Sequence, residues 1–284
     1  MNFYYINPPD SGLGDRLLDI FTIYAYSKFL KCDKLYVFWN YESCFDETRQ
    51  NLKLKNLLYF LQLPEDLIFV ENRIVIDYND KNNIYFTDIL SAISLELFIE
   101  KYISKNPEVF MDIYFDSFNK IKFKNIPTEV MNIFNDNFIV TIHLRRTDKI
   151  SSNEYAHGVN IQELEKLDTI TQKFIDGQIE INNINICIIS DDVVVKNKYA
   201  EYNKNKCKLI LFYYNDNVLQ SYVDFFCLVN AKKIFMSQKF STFSIVASLV
   251  RNAELYYYFD YGRLYSFNNI GYNFYKYKNM RLFT

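Results

Sequence analysis

From residue 138 onward, short apolar runs alternate with amphipathic stretches of ten or more residues, and this alternation constrains the fold more than any other feature of the chain. Residues 138–143, 184–189, 208–213, 233–236 and 255–259 have strand length and are rich in Ile, Val, Phe and Tyr. Between them, residues 161–175, 193–202, 218–230 and 243–250 repeat their apolar positions with a helical period. Strands that alternate with helices imply right-handed βαβ units, a parallel sheet and an α/β fold. In such a sheet every strand points its carboxyl end to one edge, where open α/β sheets bind ligands. The residues expected to converge there are His143 to Lys149, then Ser190, Asp191 and Asp192, then Asn215 and Asp216, then Ser237 to Thr242. All four groups are polar and able to bind a ligand.

The first of these groups carries the most chemistry. Ile139, Val140, Thr141 and Ile142 form a β-branched run that suits the middle of a parallel sheet, and the run empties into HLRRTDK. Arg145 and Arg146 are therefore expected at a strand's carboxyl end, where a planar guanidinium fork suits bidentate contact with a phosphate. A surface ion-pair cluster with Asp148 is the alternative for an isolated Arg-Arg dipeptide. Three further polar strand ends at the same edge favour an anion and nucleotide site.

Charge balance excludes a general polyanion binder, because 32 Lys and Arg face 34 Asp and Glu for a net charge of −2. Any anion site must be local, and no nucleic-acid partner is expected. With 284 residues, half of them hydrophobic, the chain can bury the cores of two modest domains. Cys32, Cys44, Cys187, Cys207 and Cys227 are odd in number, lie in apolar contexts and lack CxxC spacing, so they are read as reduced core residues without metal or disulfide roles. MNFYYINPP has no charged segment leading into an apolar one, no apolar run approaches a membrane span, and no Asn-x-Ser/Thr acceptor occurs. These features predict a cytoplasmic protein, and the abundance of Asn, Ile, Lys, Tyr and Phe points to an AT-rich genome, that of a low-GC bacterium or a large DNA virus.

The amino-terminal half is α/β but less regular. A short strand at 2–6 leads through Pro8, Pro9, Asp10, Ser11, Gly12, Leu13 and Gly14 into a helix from Asp15 to about Phe29. A glycine turn between strand and helix can bring backbone amides against an anion. A second strand at 34–39, a helix at 51–61, two or three strands within 65–86 and a helix at 88–104 follow. Polarity rises around 120–127 and Pro127 appears, which places a boundary there: an amino-terminal α/β domain at 1–127 and a carboxyl-terminal domain at 128–284.

HLRRTDK resembles the His-x-Arg-Arg-x-Asp motif of fucosyltransferases that use GDP-fucose, and Thr147, Asp148, Lys149 and His157 make it most similar to the α1,6-fucosyltransferases. ISDD at 189–192 is similar to the family's strand-end Asp pair, and residues 223–249 to its helix aspartate followed by a Ser-rich turn. Asp224 falls on that aspartate, and Ser241 and Thr242 on the Ser-Ser pair, although the turn at Gln238, Lys239 and Phe240 is about one residue longer than the family spacing. Gly12, Gly14, Asp15 and Arg16 loosely resemble the family's glycine loop. The likeness covers residues 138–250 well and leaves most of the amino-terminal half unmatched.

The resemblance implies a GT-B glycosyltransferase with two Rossmann-like domains, the second binding GDP-sugar through a parallel sheet, the first facing the acceptor, and the tail at 261–284 packing back on the first. It implies transfer of fucose from GDP-fucose to a glycan or oligosaccharide hydroxyl, inverting the donor linkage to an α-fucoside, without metal or other cofactor. Within it, Arg145 is the candidate for the β-phosphate of GDP, stabilising the charge that grows there as GDP departs. Arg146 braces the loop or shares the phosphates, and Asp148 pins one of the arginines. Ser241 and Thr242 with the amides of their helix form a second anion cradle. Asp191 or Asp192 accepts hydrogen bonds from guanine or ribose, His143 orients, and Asp224 belongs to the site. Glu154 resembles, with a one-residue offset, the family glutamate that deprotonates the acceptor. Related readings are α1,2 or protein O-linked specificity, another GDP-sugar donor, and a non-catalytic nucleotide-sugar-binding module.

Overall fold

The computed structural model describes residues 2–6, 12–39, 47–70, 82–86, 95–135, 137–146, 161–180, 184–237, 241–259 and 263–267. They fall into two compact units that meet in sequence between Asn125 and Ile126. In the first unit, β1 (Asn2–Ile6) leads to α1 (Leu13–Phe29) and β2 (Lys34–Phe38). A 3-10 turn at Glu47–Leu52 and α2 (Leu54–Phe60) then replace the single helix expected at 51–61. β3 (Leu61–Gln62), β4 (Leu67–Val70), β5 (Asn83–Phe86), α3 (Leu95–Tyr102), α4 (Pro107–Asn119) and β6 (Lys122–Phe123) complete the unit. Its main sheet has the order β4-β2-β1-β5 and is parallel throughout. Phe3 and Tyr5 of β1 point one way into the core, as strand alternation requires, and meet α1 at Tyr26 (ring centroids 5.8 Å apart) and Asp19 (3.3 Å from the Tyr5 hydroxyl). α4 covers α1 through Phe110, Tyr114 and Phe118, with the Phe21 and Phe118 rings 5.4 Å apart.

The second unit opens with α5 (Thr128–Asn135), followed by β7 (Ile139–Leu144), α6 (Ile161–Ile179), β8 (Asn185–Ser190) and α7 (Val193–Asn203). β9 (Lys208–Ile210), α8 (Asn217–Val229), β10 (Lys233–Met236), α9 (Thr242–Arg251), β11 (Glu254–Phe259) and β12 (Arg263–Phe267) follow. Six strands form one sheet in the order β12-β11-β10-β7-β8-β9, parallel except for the antiparallel pair β11 and β12. Numbered along this unit, that order is 6-5-4-1-2-3, the doubly wound Rossmann arrangement, in which the winding reverses between β7 and β10. β9 stops at Ile210, short of the strand expected to reach 213. Its only neighbour is β8, and beyond Ile210 the Phe212 carbonyl accepts from Lys196 Nζ (2.7 Å) rather than from a ladder partner.

β7 is buried along its whole length, and its alternation sorts the two sheet faces. Val140, Ile142 and Leu144 pack with Phe174, Ile175, Ile186, Ile188 and Tyr199 beneath α6 and α7. Thr141 and His143 turn to the opposite face, where Thr141 Oγ1 donates to the Cys227 carbonyl of α8 (3.3 Å) and His143 meets α9. Cys32, Cys187 and Cys227 are buried free thiols, and Cys207 is a partly exposed one.

Candidate functional site at the reversal of strand order

Where the winding reverses, the carboxyl ends of β7 and β10 lie side by side, with Met236 paired to His143. The Ser237 amide donates to the His143 carbonyl (3.0 Å), which carries the pairing one residue past β10. His143 is buried, and its Nδ1 sits 2.7 Å from Ser244 Oγ and 3.3 Å from Ser241 Oγ. The imidazole therefore ties the end of β7 to the first turn of α9. Phe243 of that turn lies 6.0 Å from the imidazole and 5.1 Å from the Phe225 ring of α8. The residues that fix this corner are thus an apolar aromatic pair and a hydroxyl-imidazole contact. Ser241 occupies the N-cap of α9 without capping it by its side chain, and Thr242 opens the helix half-buried. Ser237 Oγ is fully buried and has no hydrogen-bond partner. A buried hydroxyl without a partner costs free energy unless a ligand or water satisfies it.

The two arginines that follow β7 differ. Arg145 is half-buried, whereas Arg146 is only 2% exposed and its Nη2 donates to Asp168 Oδ1 of α6 (2.5 Å). Asp168 also accepts from Tyr199 OH (2.8 Å) and pairs with Lys198 Nζ (3.2 Å). The Arg146 backbone amide donates to Asp191 Oδ1 (2.6 Å), which joins the loop after β7 to the loop after β8. Arg146 Nη1 is buried without a hydrogen-bond partner. Asp168 was not among the residues singled out from sequence. It lies 22 positions from Arg146 in α6, and its only sequence signal is an acidic residue one helical turn from the buried Thr171.

Asp192 caps α7, its Oδ1 accepting from the amides of Val194 (2.8 Å) and Val195 (3.2 Å). Asp216 does the same for α8 with Val218 and Leu219 (2.8 and 3.3 Å). Both carboxylates thus have structural duties that a strand-end position alone does not reveal. Asp191 is exposed beside them. Asp224 is half-buried on α8 and accepts from Gln220 Nε2 (2.8 Å). Desolvation pushes its carboxyl up to about 7, Asp191 adds to the rise, and Lys196 and the Gln220 bond oppose it. In the first unit Gly12 is the N-cap of α1 with φ −72° and ψ 173°, and Gly14 is buried in the first turn. Asp148, Glu154 and His157, with Thr147 and Lys149, lie outside the described residues, as do Asp10 and the turn at 238–240. Among the described residues no group of three His, Cys, Asp or Glu is placed to hold a metal ion, and no helix is long and apolar enough to cross a membrane.

No protein-family model and no curated protein matches this chain. Its fold is similar to that of the NodZ alpha-1,6-fucosyltransferase soaked with GDP-fucose, with a TM-score of 0.59 and 14% identity over 95% of this chain and 100% of that one. It is also similar to fucosyltransferase NodZ from Bradyrhizobium, at a TM-score of 0.57 and 13% identity over 95% and 99% of the two chains. The apo-form of POFUT1 matches at a TM-score of 0.50 and 12% identity over 88% and 95%. The fold is of the GT-B type. In GT-B terms the two parallel sheets are the two Rossmann-like domains, and the reversal between β7 and β10 lies in the second.

Proposed function

We propose that this GT-B protein is a fucosyltransferase that takes GDP-fucose as donor and a glycan hydroxyl as acceptor. The observation that carries the reading is the division of the arginine pair at the strand-order reversal. Side chains alternate along a strand, and Arg146 continues the parity of Leu144 to reach α6. We take the same parity to continue one residue past β7, which puts Arg145 on the side of His143, Ser241 and the amino end of α9. A guanidinium and a helix amino terminus facing one crevice form a diphosphate cradle. The likeness in fold to enzymes crystallised with GDP-fucose or GDP supports that choice of donor.

In this reading Arg145 holds the β-phosphate oxygens and stabilises the charge that develops as the glycosidic bond breaks. Ser241, Thr242 and the first amides of α9 hold the other phosphate oxygens, and Ser237 Oγ gains a partner when the donor is bound. Asp191, with Asp192, borders the guanine and ribose, and Asp224, whose carboxyl burial raises to about 7, joins the site from α8. Gly12 at the N-cap and Gly14 in the first turn let the amino end of α1 approach the donor. Glu154 takes the proton from the acceptor hydroxyl as it attacks the anomeric carbon opposite the departing GDP, which yields an α-fucoside. Asp148 supports the arginine loop. The domain at 1–127 supplies the acceptor side; of the tail expected to pack on it, Arg263–Phe267 instead forms β12 of the second unit's sheet.

The test is transfer of labelled fucose from GDP-fucose to a glycan array, with and without EDTA. The expected result is acceptor-dependent labelling that EDTA leaves unchanged, because the arginines supply the phosphate charge. Labelling abolished by EDTA and restored by Mn²⁺ or Mg²⁺ would contradict the metal-free mechanism. A protein that binds GDP but labels no acceptor and releases no fucose would favour the binding-module reading.

A further inference from the structure

We infer that Asp168 is a positioning residue for the phosphate-binding arginines, an assignment that rests on the donor reading above. A guanidinium that is 2% exposed cannot rely on water to fix its orientation, and Asp168 is the carboxylate that meets it, through Nη2 at 2.5 Å. Asp168 is itself held from α7, by the Tyr199 hydroxyl at 2.8 Å and by Lys198 Nζ at 3.2 Å. Burial and the hydrogen bond to Asp168 push the Tyr199 phenol well above its ordinary value, so it remains a donor across the working pH range. The brace therefore joins two helices and the end of β7. Because Asp191 grips the Arg146 amide at 2.6 Å, residue 146 is fixed at both its backbone and its guanidinium. A residue held at both ends sets the direction in which its neighbour Arg145 leaves the sheet.

Asp168 also lines a cavity of about 560 Å³ between α6 and α7, together with Gln172, Lys198, Tyr199 and Tyr202. Its side chain is 31% exposed, so a neutral replacement stays hydrated and need not disturb the fold. This makes Asp168→Asn a clean test. Asn keeps an acceptor for Arg146 and Tyr199 but removes the charge that holds the guanidinium.

Affinity for GDP and for inorganic pyrophosphate is measured by calorimetry for wild type, Asp168→Asn, Arg146→Ala and the double variant, with kcat and KM for GDP-fucose alongside. Lys206→Ala, which breaks the neighbouring 3.0 Å pair between the turn after α7 and Asp176 of α6, controls for loosened packing between these elements. The expected result is a loss of about tenfold in affinity for both anions in Asp168→Asn at unchanged melting temperature, and no further loss when it is added to Arg146→Ala. Lys206→Ala behaves as wild type. Wild-type affinity and turnover in Asp168→Asn would overturn the assignment, as would a loss equally large in the Arg146→Ala background. If Asp168→Asn does not fold, Tyr199→Phe, which removes one bond to the same oxygen, carries the test with an expected loss of about threefold. A wild type that binds pyrophosphate but not GDP contradicts the donor reading and still tests Asp168. A wild type that binds neither contradicts both.

Discussion

Arg145→Lys keeps a positive charge just past β7 and removes the planar fork, so it separates charge from geometry. An ammonium is a point charge on a flexible stem and cannot hold two phosphate oxygens in one plane. Arg145 is half-buried, and Lys fits such a position without stranding a charge, so the melting temperature should stay within a few degrees of wild type. Turnover with GDP-fucose is expected to fall by about 100-fold, the scale of losing one preorganised donor to developing charge. A folded Arg145→Lys protein with near-wild-type turnover would remove Arg145 from the site. At this scale the strand pattern was enough to put the arginine pair and His143 at the end of β7 and Ser241 at the start of α9. The sequence did not reveal that Asp192 and Asp216 also cap α7 and α8. It was silent on Asp168, since nothing local to a helical aspartate records that a buried arginine 22 residues earlier folds onto it.

Helix α1 combines features that make its stability depend on pH. Arg16 and Asp19 lie three residues apart on its buried face, with Arg16 4.9 Å from the Trp39 ring and Asp19 3.3 Å from the Tyr5 hydroxyl. Burial pushes the Asp19 carboxyl up to about 8, Asp15 adds to the rise, and the Tyr5 bond and Arg16 pull against it. An acid whose folded value is raised contributes stability that is fully present below its unfolded value and is lost as pH rises through the folded value. For Asp19 that window runs from its ordinary 3.8 to about 8. Urea unfolding at several pH values should show wild type losing stability relative to Asp19→Asn across this window, with the gap between them constant above it. Parallel pH profiles for the two proteins would contradict the burial argument.

Other elements show why helical and strand patterns read unevenly. α8 and α9 were legible from periodicity because their apolar faces are continuous, whereas α7 buries Lys196, Tyr199 and Asn203 and leaves Val193 and Val194 exposed. α4 was overlooked although Pro107 stands at its first position, a recognised start signal, because its core residues are Phe and Tyr in a chain rich in both. β9 was drawn too long, since nothing in residues 211–213 distinguishes an extended segment without a ladder partner from a strand.

At the scale of the whole chain, the parallel sheet of the second unit followed from strand and helix alternation, and its edge-converging loops followed from the sheet. The order 3-2-1-4-5-6 was not readable, because alternation fixes handedness and direction but not on which side of β7 the fourth strand is laid. That placement decides the site, since it sets Ser237, Ser241 and the α9 amino end beside His143 rather than three strands away. The central claim is that this crevice binds the diphosphate of a guanine nucleotide, and its most direct measurement is a calorimetric titration of the full chain with GDP and, in parallel, UDP. The account predicts one GDP site per chain, binding at least about tenfold weaker for UDP, and loss of GDP binding in Ser241→Ala/Arg145→Ala at unchanged melting temperature. Equal affinity for the two nucleotides, or GDP binding that survives the double substitution, would contradict it.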